Sequence, residues 1–244
     1  TPHYIIGNGS NLLVGDKGYR GVIIQVFKNM NDIRVEGETI YAQAGALLAK
    51  VASAACAAEL TGFEFASGIP GTLGGAVRMN AGAYGGEMKQ VLKNAVVLTP
   101  EGEILTLSVD EMKMGYRTSI VSRMDYVVLE AEIALKKGER ENILAKTEEL
   151  REKRVSKQPL EYGSAGSTFK RPAGYFAGKL IEDAGLRGLR VGNAQVSEKH
   201  CGFVINRGGA TAKEVKELMD EVVRRVEANS GVHLEPEVKR IGEF

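Results

Sequence analysis

Between residues 62 and 86 the chain carries eight glycines in 25 positions, with one proline and almost no charge. Such a segment cannot be one long helix or strand, because glycine weakens both; it has to be a run of turns and short elements. It also lets backbone N–H groups approach a ligand that a Cβ would hold off, and turns of this kind make anion-binding nests. A second cluster, Gly7-Asn8-Gly9-Ser10-Asn11-Leu12, begins like a dinucleotide fingerprint but has leucine where the third glycine belongs. The stretch from Gly68 to Gly75, with Pro70, Gly71, Thr72 and Gly74, lacks the Lys-Ser/Thr of a P-loop. Ser10, Asn11, Thr72 and Asn80 add short polar side chains without bulk. A tight turn explains any single glycine. Two dense clusters favour an anion.

The rest of the chain mixes strands and helices. Residues 22–26 predict a buried strand and 39–45 a second one, followed by an alanine-rich helix over 46–59. Residues 95–98 and 104–107 flank Pro100-Glu101-Gly102-Glu103, a hairpin signature. Val127, Leu129, Ala131, Ile133 and Leu135 alternate with polar residues as in a half-buried strand. Residues 140–154 predict a charged helix with Glu and Lys at pairing distances. A second amphipathic helix runs from Phe176 to Ala184, with Gly185 as its C′ residue. A third starts at Thr211, whose Glu214 completes a capping box, and Leu234 to Val238 leads into a final strand. The class is α+β, with a domain boundary expected at 155–159.

Composition excludes several functions. Lys and Arg exceed Asp and Glu by only one charge, so no polyelectrolyte signal points to nucleic acid. No stretch approaches 18 uninterrupted apolar residues, so no membrane insertion is expected. Cys56 and Cys201 fit a reduced cytoplasmic protein better than a disulfide scaffold. His3, His200 and His233 are dispersed, and no metal site is expected. The chain opens on Thr1 and enters a strand at once, which reads as a shortened start.

Seven segments taken together resemble the UDP-N-acetylenolpyruvoylglucosamine reductase family, the flavoprotein reductases of peptidoglycan precursor synthesis. They are GNGSNLLV at 7–14, SGIPGTLGGAVRMNAGAYGGE at 67–87, GYRTS at 115–119 and GSAGSTFKRP at 163–172. AGLRGL at 184–189, VSEKHCGFVIN at 196–206 and LEPEV at 234–238 complete the set, in family order. The glycine segment alone resembles only the wider FAD-linked oxidases; the segments holding Ser167 and Glu237 are more specific. The FKRP run is similar to the shorter, type II form. Family members usually carry a further strand–helix unit before GNGSNLL, and its loss is expected to bear on cofactor affinity.

The resemblance implies an FAD-binding domain of the FAD-linked oxidase (PCMH/VAO-like) type over residues 1–156, with 230–244 returning to it. A smaller α+β substrate-binding domain would span 157–229. It implies FAD as cofactor, NADPH as hydride donor, a UDP-sugar as substrate, and a cytoplasmic monomer. FAD contacts fall on Gly7, Asn8, Gly9, Ser10, Asn11 and Leu12, on Gly68, Pro70, Gly71, Thr72 and Gly74, and on Asn80, Ala81 and Gly82. Tyr116, Lys157, Lys170 and Arg171 are the implied substrate contacts. Arg117 and Glu237 would surround the enolpyruvyl carboxylate, and Ser167 would give a proton after hydride transfer from reduced FAD. A carboxylate repels a developing anion, so Glu237 is expected either to be protonated or to act by orienting its neighbours. Two alternatives stay open: an FAD-linked alcohol or sugar oxidase, and a noncatalytic nucleotide-sugar-binding module.

Overall fold

The computed structural model describes residues 1–244, and the chain divides into two compact units. One is His3–Gly9 with Ile23–Arg154; the other is Thr1–Pro2, Ser10–Val22 and Val155–Phe244.

The first unit is built on a five-stranded antiparallel sheet in the order Ile104–Ser108, Leu92–Leu98, Val127–Ala134, Thr39–Gln43, Ile33–Glu36. The expected hairpin forms, with Ile104 opposite Leu98 and the Thr99 N–H donating to the Glu103 carbonyl at 2.9 Å. Along Val127–Ala134 the alternation is broken once. A register shift between Val128 and Glu130 puts Val128 in the core with Ala131 and Ile133, while Leu129 is only half-buried. A bulge of this kind carries one extra residue and moves the buried face by one position, which strict alternation cannot anticipate. Helix Leu48–Ala57 buries Leu48, Val51 and Ala55. The glycine segment splits into a 3-10 turn Glu64–Ala66, helix Leu73–Arg78 and a hairpin of Gly82–Ala83 with Gly86–Glu87. Gly74 allows a close approach here: a Cβ would stand 2.8 Å from that of Ala44, to whose carbonyl the Gly74 N–H donates at 2.8 Å.

The second unit packs helix Ala212–Ser230 on the three-stranded antiparallel sheet Arg190–Val191, Ala194–Val196, Val204–Asn206. The helix buries Leu218, Met219, Val222 and Val226. Its capping box is present, with the Glu214 N–H donating to Thr211 Oγ1 at 3.1 Å and the Thr211 N–H to the Glu214 carboxylate at 3.0 Å. Asp16 accepts the next two donors, Ala212 N at 2.7 Å and Lys213 N at 2.9 Å, in place of water. Gly231 ends the helix at φ 70°. Leu12–Val14 pairs in parallel with Lys239–Ile241.

Three expectations differ from this arrangement. The strand Val22–Gln25 exists but is exposed, with Ile23 41% and Ile24 44% accessible, because it pairs only with His3–Ile6 in a two-stranded sheet. Residues 230–244 group with Val155–Phe244 rather than with the unit holding Ile23–Arg154, and residues 10–22 join them there. The reason is packing: Leu234 and Val238 belong to the core formed around Leu218, Met219 and Val222. Helix Arg140–Lys157 outlasts its expected end at 154, so the limit of the first unit falls inside a helix instead of in a linker.

Candidate functional site

Within the first unit the two glycine clusters meet. A Cβ on Gly7 would lie 2.1 Å from Thr72 Oγ1, and the Asn8 side-chain amide donates to the Pro70 carbonyl at 2.8 Å. Thr72 is only 2% exposed, opens helix Leu73–Arg78 and makes no side-chain capping bond. Its neighbours are tied down by the main chain: Leu48 N donates to Gly71 O at 3.1 Å and Leu73 N to Ala46 O at 2.8 Å. The N–H groups of Asn8, Gly9, Gly71 and Thr72 find no acceptor within the protein. Gly9 sits at φ 70° with nothing within 4 Å of where a Cβ would point. Free donors, small residues and open space make a cradle that fits the diphosphate of a dinucleotide. Gly7→Ala is therefore expected to weaken dinucleotide binding at least tenfold, with Thr72→Ala in the same chain restoring thermal stability; a titration with FAD and a melting curve check both.

Asn80, Ala81 and Gly82 lie elsewhere in the same unit. Asn80 is fully buried at φ 46°, and its side chain is used inside the protein. Its amide donates to the Glu87 carboxylate at 3.0 Å and to the Gly115 carbonyl at 3.1 Å, and its oxygen accepts the Lys89 N–H at 2.9 Å. Both amide hydrogens are spent, so what Asn80 contributes is the tie between the glycine hairpin and the turn that bears Arg117. That turn is closed by Gly115 and Thr118, each donating to the other at 3.0 and 3.2 Å. Arg117 occupies its tip at φ 55°, a left-handed backbone that costs a non-glycine residue about 1 kcal/mol or more. Its guanidinium reaches the Gly82 carbonyl at 3.4 Å and stacks on exposed Tyr116, 5.0 Å from the ring centroid.

Ser10, Asn11, Leu12, Ser167 and Glu237 belong to the second unit. The Asn11 side-chain amide donates to the Glu237 carbonyl at 3.2 Å, and Lys239 N to Asn11 O at 2.9 Å. Ser167 is exposed, beside Thr168, which is 2% exposed. Thr168 is the joint of this region. Its N–H donates to Gly202 O at 2.8 Å, its carbonyl accepts Glu237 N at 2.9 Å, and its hydroxyl accepts Val204 N at 2.8 Å. Ser167 stays exposed while three segments are tied together through its neighbour. Glu237 is 9% exposed. Lys170 pairs with Glu235, Arg171 lies over the Phe176 ring at 3.9 Å, and Lys157 is exposed at the end of its helix. His200 Nδ1 accepts the Gly202 N–H at 3.0 Å, and burial holds the ring below the usual histidine range. Its proton-accepting nitrogen is spent on structure.

Sequence reasoning missed two residues. Thr168 left no signal, since a Ser-Thr pair between glycine and phenylalanine reads as loop. Arg154 did leave one: residues three and four positions away on either side are Leu150, Arg151, Lys157 and Gln158, none of them acidic.

Two family models cover most of the chain: an FAD binding domain over residues 1–108 and the C-terminal domain of UDP-N-acetylenolpyruvoylglucosamine reductase over 158–241. The fold and its cradle thus define a flavoprotein oxidoreductase with an FAD-binding domain of the PCMH/VAO-like type and a mixed α+β substrate domain. The Agathobacter rectalis protein named as this reductase is 57% identical over 255 residues, covering 100% of this chain and 81% of that protein. The Alkaliphilus oremlandii one is 53% identical over 242 residues, covering 99% and 80%. The crystal structure of the Thermus caldophilus reductase (MurB) matches at a TM-score of 0.86 and 38% identity, over 98% of this chain and 85% of that one. The chain belongs to the UDP-N-acetylenolpyruvoylglucosamine reductase family.

Proposed function

We infer that the protein reduces the enolpyruvyl double bond of UDP-N-acetylglucosamine-enolpyruvate to the lactyl ether of UDP-N-acetylmuramate, at the expense of NADPH. The observation that carries this is the convergence of Gly7, Asn8, Pro70 and Thr72 into one cradle, in a chain that the Agathobacter rectalis reductase matches from end to end. FAD, when bound, supplies the two-electron chemistry between NADPH and the enolpyruvyl group.

The chain's own residues bind, orient and move one proton. We assign the cradle of Gly7, Asn8, Gly9, Gly68, Pro70, Gly71, Thr72 and Gly74 to the dinucleotide, with Ser10, Asn11, Leu12, Ala81 and Gly82 as further contacts. Arg117 grips the enolpyruvyl carboxylate, since a planar guanidinium can hold both oxygens and stays charged throughout. Reduction leaves negative charge on the carbon beside that carboxylate, and a fixed cation is what stabilises it. Ser167 gives that carbon its proton; a carbanion is basic enough to take it from a hydroxyl. Glu237 orients this end of the substrate, its backbone tied to Thr168 and Asn11. Tyr116, Lys157, Lys170 and Arg171 are assigned to the sugar nucleotide.

No helix of the protein is long and apolar enough to cross a membrane. We extend the proposal to a monomer acting in the cytoplasm, a reading supported by two unpaired thiols, Cys56 and Cys201. The test is an anaerobic visible spectrum of the protein with FAD. Bleaching by NADPH and recovery on adding UDP-N-acetylglucosamine-enolpyruvate is the expected result. Recovery only with oxygen, with peroxide formed, would mark an oxidase instead.

A further inference from the structure

We propose that Arg154 is a fixed cation of the flavin cradle, its guanidinium held on Gly68 for an anionic part of the bound cofactor; this rests on the flavoprotein reading above. Three cations of helix Arg140–Lys157 pair with its acids at i,i+3 or i,i+4. Lys146 meets Glu149 at 2.9 Å, Arg151 meets Glu148 at 2.5 Å, and Lys153 also pairs with Glu149. Arg154 has no acid at helical pairing distance, and its guanidinium meets no acceptor or carboxylate within the protein.

It is nevertheless half-buried, against the glycine segment. A Cβ on Gly68 would stand 3.2 Å from Arg154 Cδ and 3.4 Å from Nη1, so the side chain lies close against the glycine and any larger residue there would press on it. Burial pulls the guanidinium below its ordinary value, and the Tyr84 phenol, from the hairpin at the other end of the same segment, acts against that. Taking a cation out of water without a partner costs stability. The cost is recovered when an anion arrives. Gly71 and Thr72, three and four positions along the same segment, also carry N–H groups without an acceptor in the protein, donors of the kind an anion uses.

A flavin nucleotide offers two anions: its diphosphate, and the charge its ring acquires on reduction. The experiment separates them. Wild type, Arg154→Lys and Arg154→Met are titrated as apoprotein with FAD, by quenching of flavin fluorescence, and with ADP. The holoproteins are then titrated reductively for the midpoint potential. Arg154→Met is expected either to bind FAD at least tenfold more weakly or to lower the potential, with Arg154→Lys intermediate. A diphosphate contact weakens FAD and ADP together and leaves the potential unchanged. A ring contact leaves both affinities unchanged and lowers the potential by about 30 mV for each tenfold preference lost. Because Met keeps the packing and removes the buried charge, the melting temperature of Arg154→Met apoprotein should equal or exceed that of wild type. Affinity within twofold of wild type at an unchanged potential would overturn the assignment, and so would a variant that melts earlier or fails to fold. Wild-type protein that binds no FAD would instead overturn the flavoprotein reading, and this one with it.

Discussion

Ser167→Ala leaves the reduction of bound flavin by NADPH at the wild-type rate and slows the following step, transfer to the enolpyruvyl substrate, by about 10²–10⁴-fold, the usual contribution of a positioned acid. The expectation is so one-sided because Ser167 is exposed and its hydroxyl makes no hydrogen bond within the protein. An exposed serine can lose its oxygen at a stability cost of only about 0.5 kcal/mol or less. Its neighbour Thr168 keeps all three ties to Gly202, Val204 and Glu237, so the backbone at 167 stays where it was. Stopped-flow absorbance separates the two half-reactions. Ser167→Cys should recover part of the lost rate, since a thiol of ordinary pKa near 8.5 can also give a proton. Equal losses in both half-reactions would remove Ser167 from the role assigned to it.

Asn80→Ala is expected to be the most damaging change in the first unit. It removes three hydrogen bonds, leaves the Lys89 N–H without its acceptor, leaves the Gly115 carbonyl with the Thr118 N–H alone, and asks alanine to adopt φ 46°. Each lost hydrogen bond costs roughly 0.5–1.5 kcal/mol, and the left-handed backbone adds about 1 kcal/mol. Together they point to a loss of roughly 3 kcal/mol, or about 6–12 °C in melting temperature for a chain of this size. Asn80→Gly relieves the backbone and should recover only that share. The turn bearing Arg117 loses its tie at Gly115, so KM for the substrate should rise in both variants while FAD affinity changes less. A melting curve beside steady-state kinetics distinguishes this from simple unfolding.

Much of the fold was legible because it is written in local signals. The hairpin around Pro100 and Gly102, the capping box of Thr211 and Glu214, and the terminal Gly185 all depend on neighbours within a few residues. What escaped depends on partners far along the chain. Nothing in Val22-Ile23-Ile24 says that only one strand will pair with it, and nothing in Leu234 and Val238 says which core will claim them. The candidate site divides the same way. The glycine clusters were visible as composition, but their meeting at Gly7 and Thr72 is a contact across 65 positions. Asn80 was seen as a polar residue suited to a ligand; that its amide is spent on Glu87 and Gly115 is a matter of tertiary packing.

The left-handed backbone of Arg117 has a consequence for how such a chain can change over generations. Glycine would suit φ 55° better than any side chain. A population selected only for heat resistance would drift toward glycine there, and toward loss of the charge. With the role proposed for Arg117, thermal hardiness and turnover would pull this one codon in opposite directions.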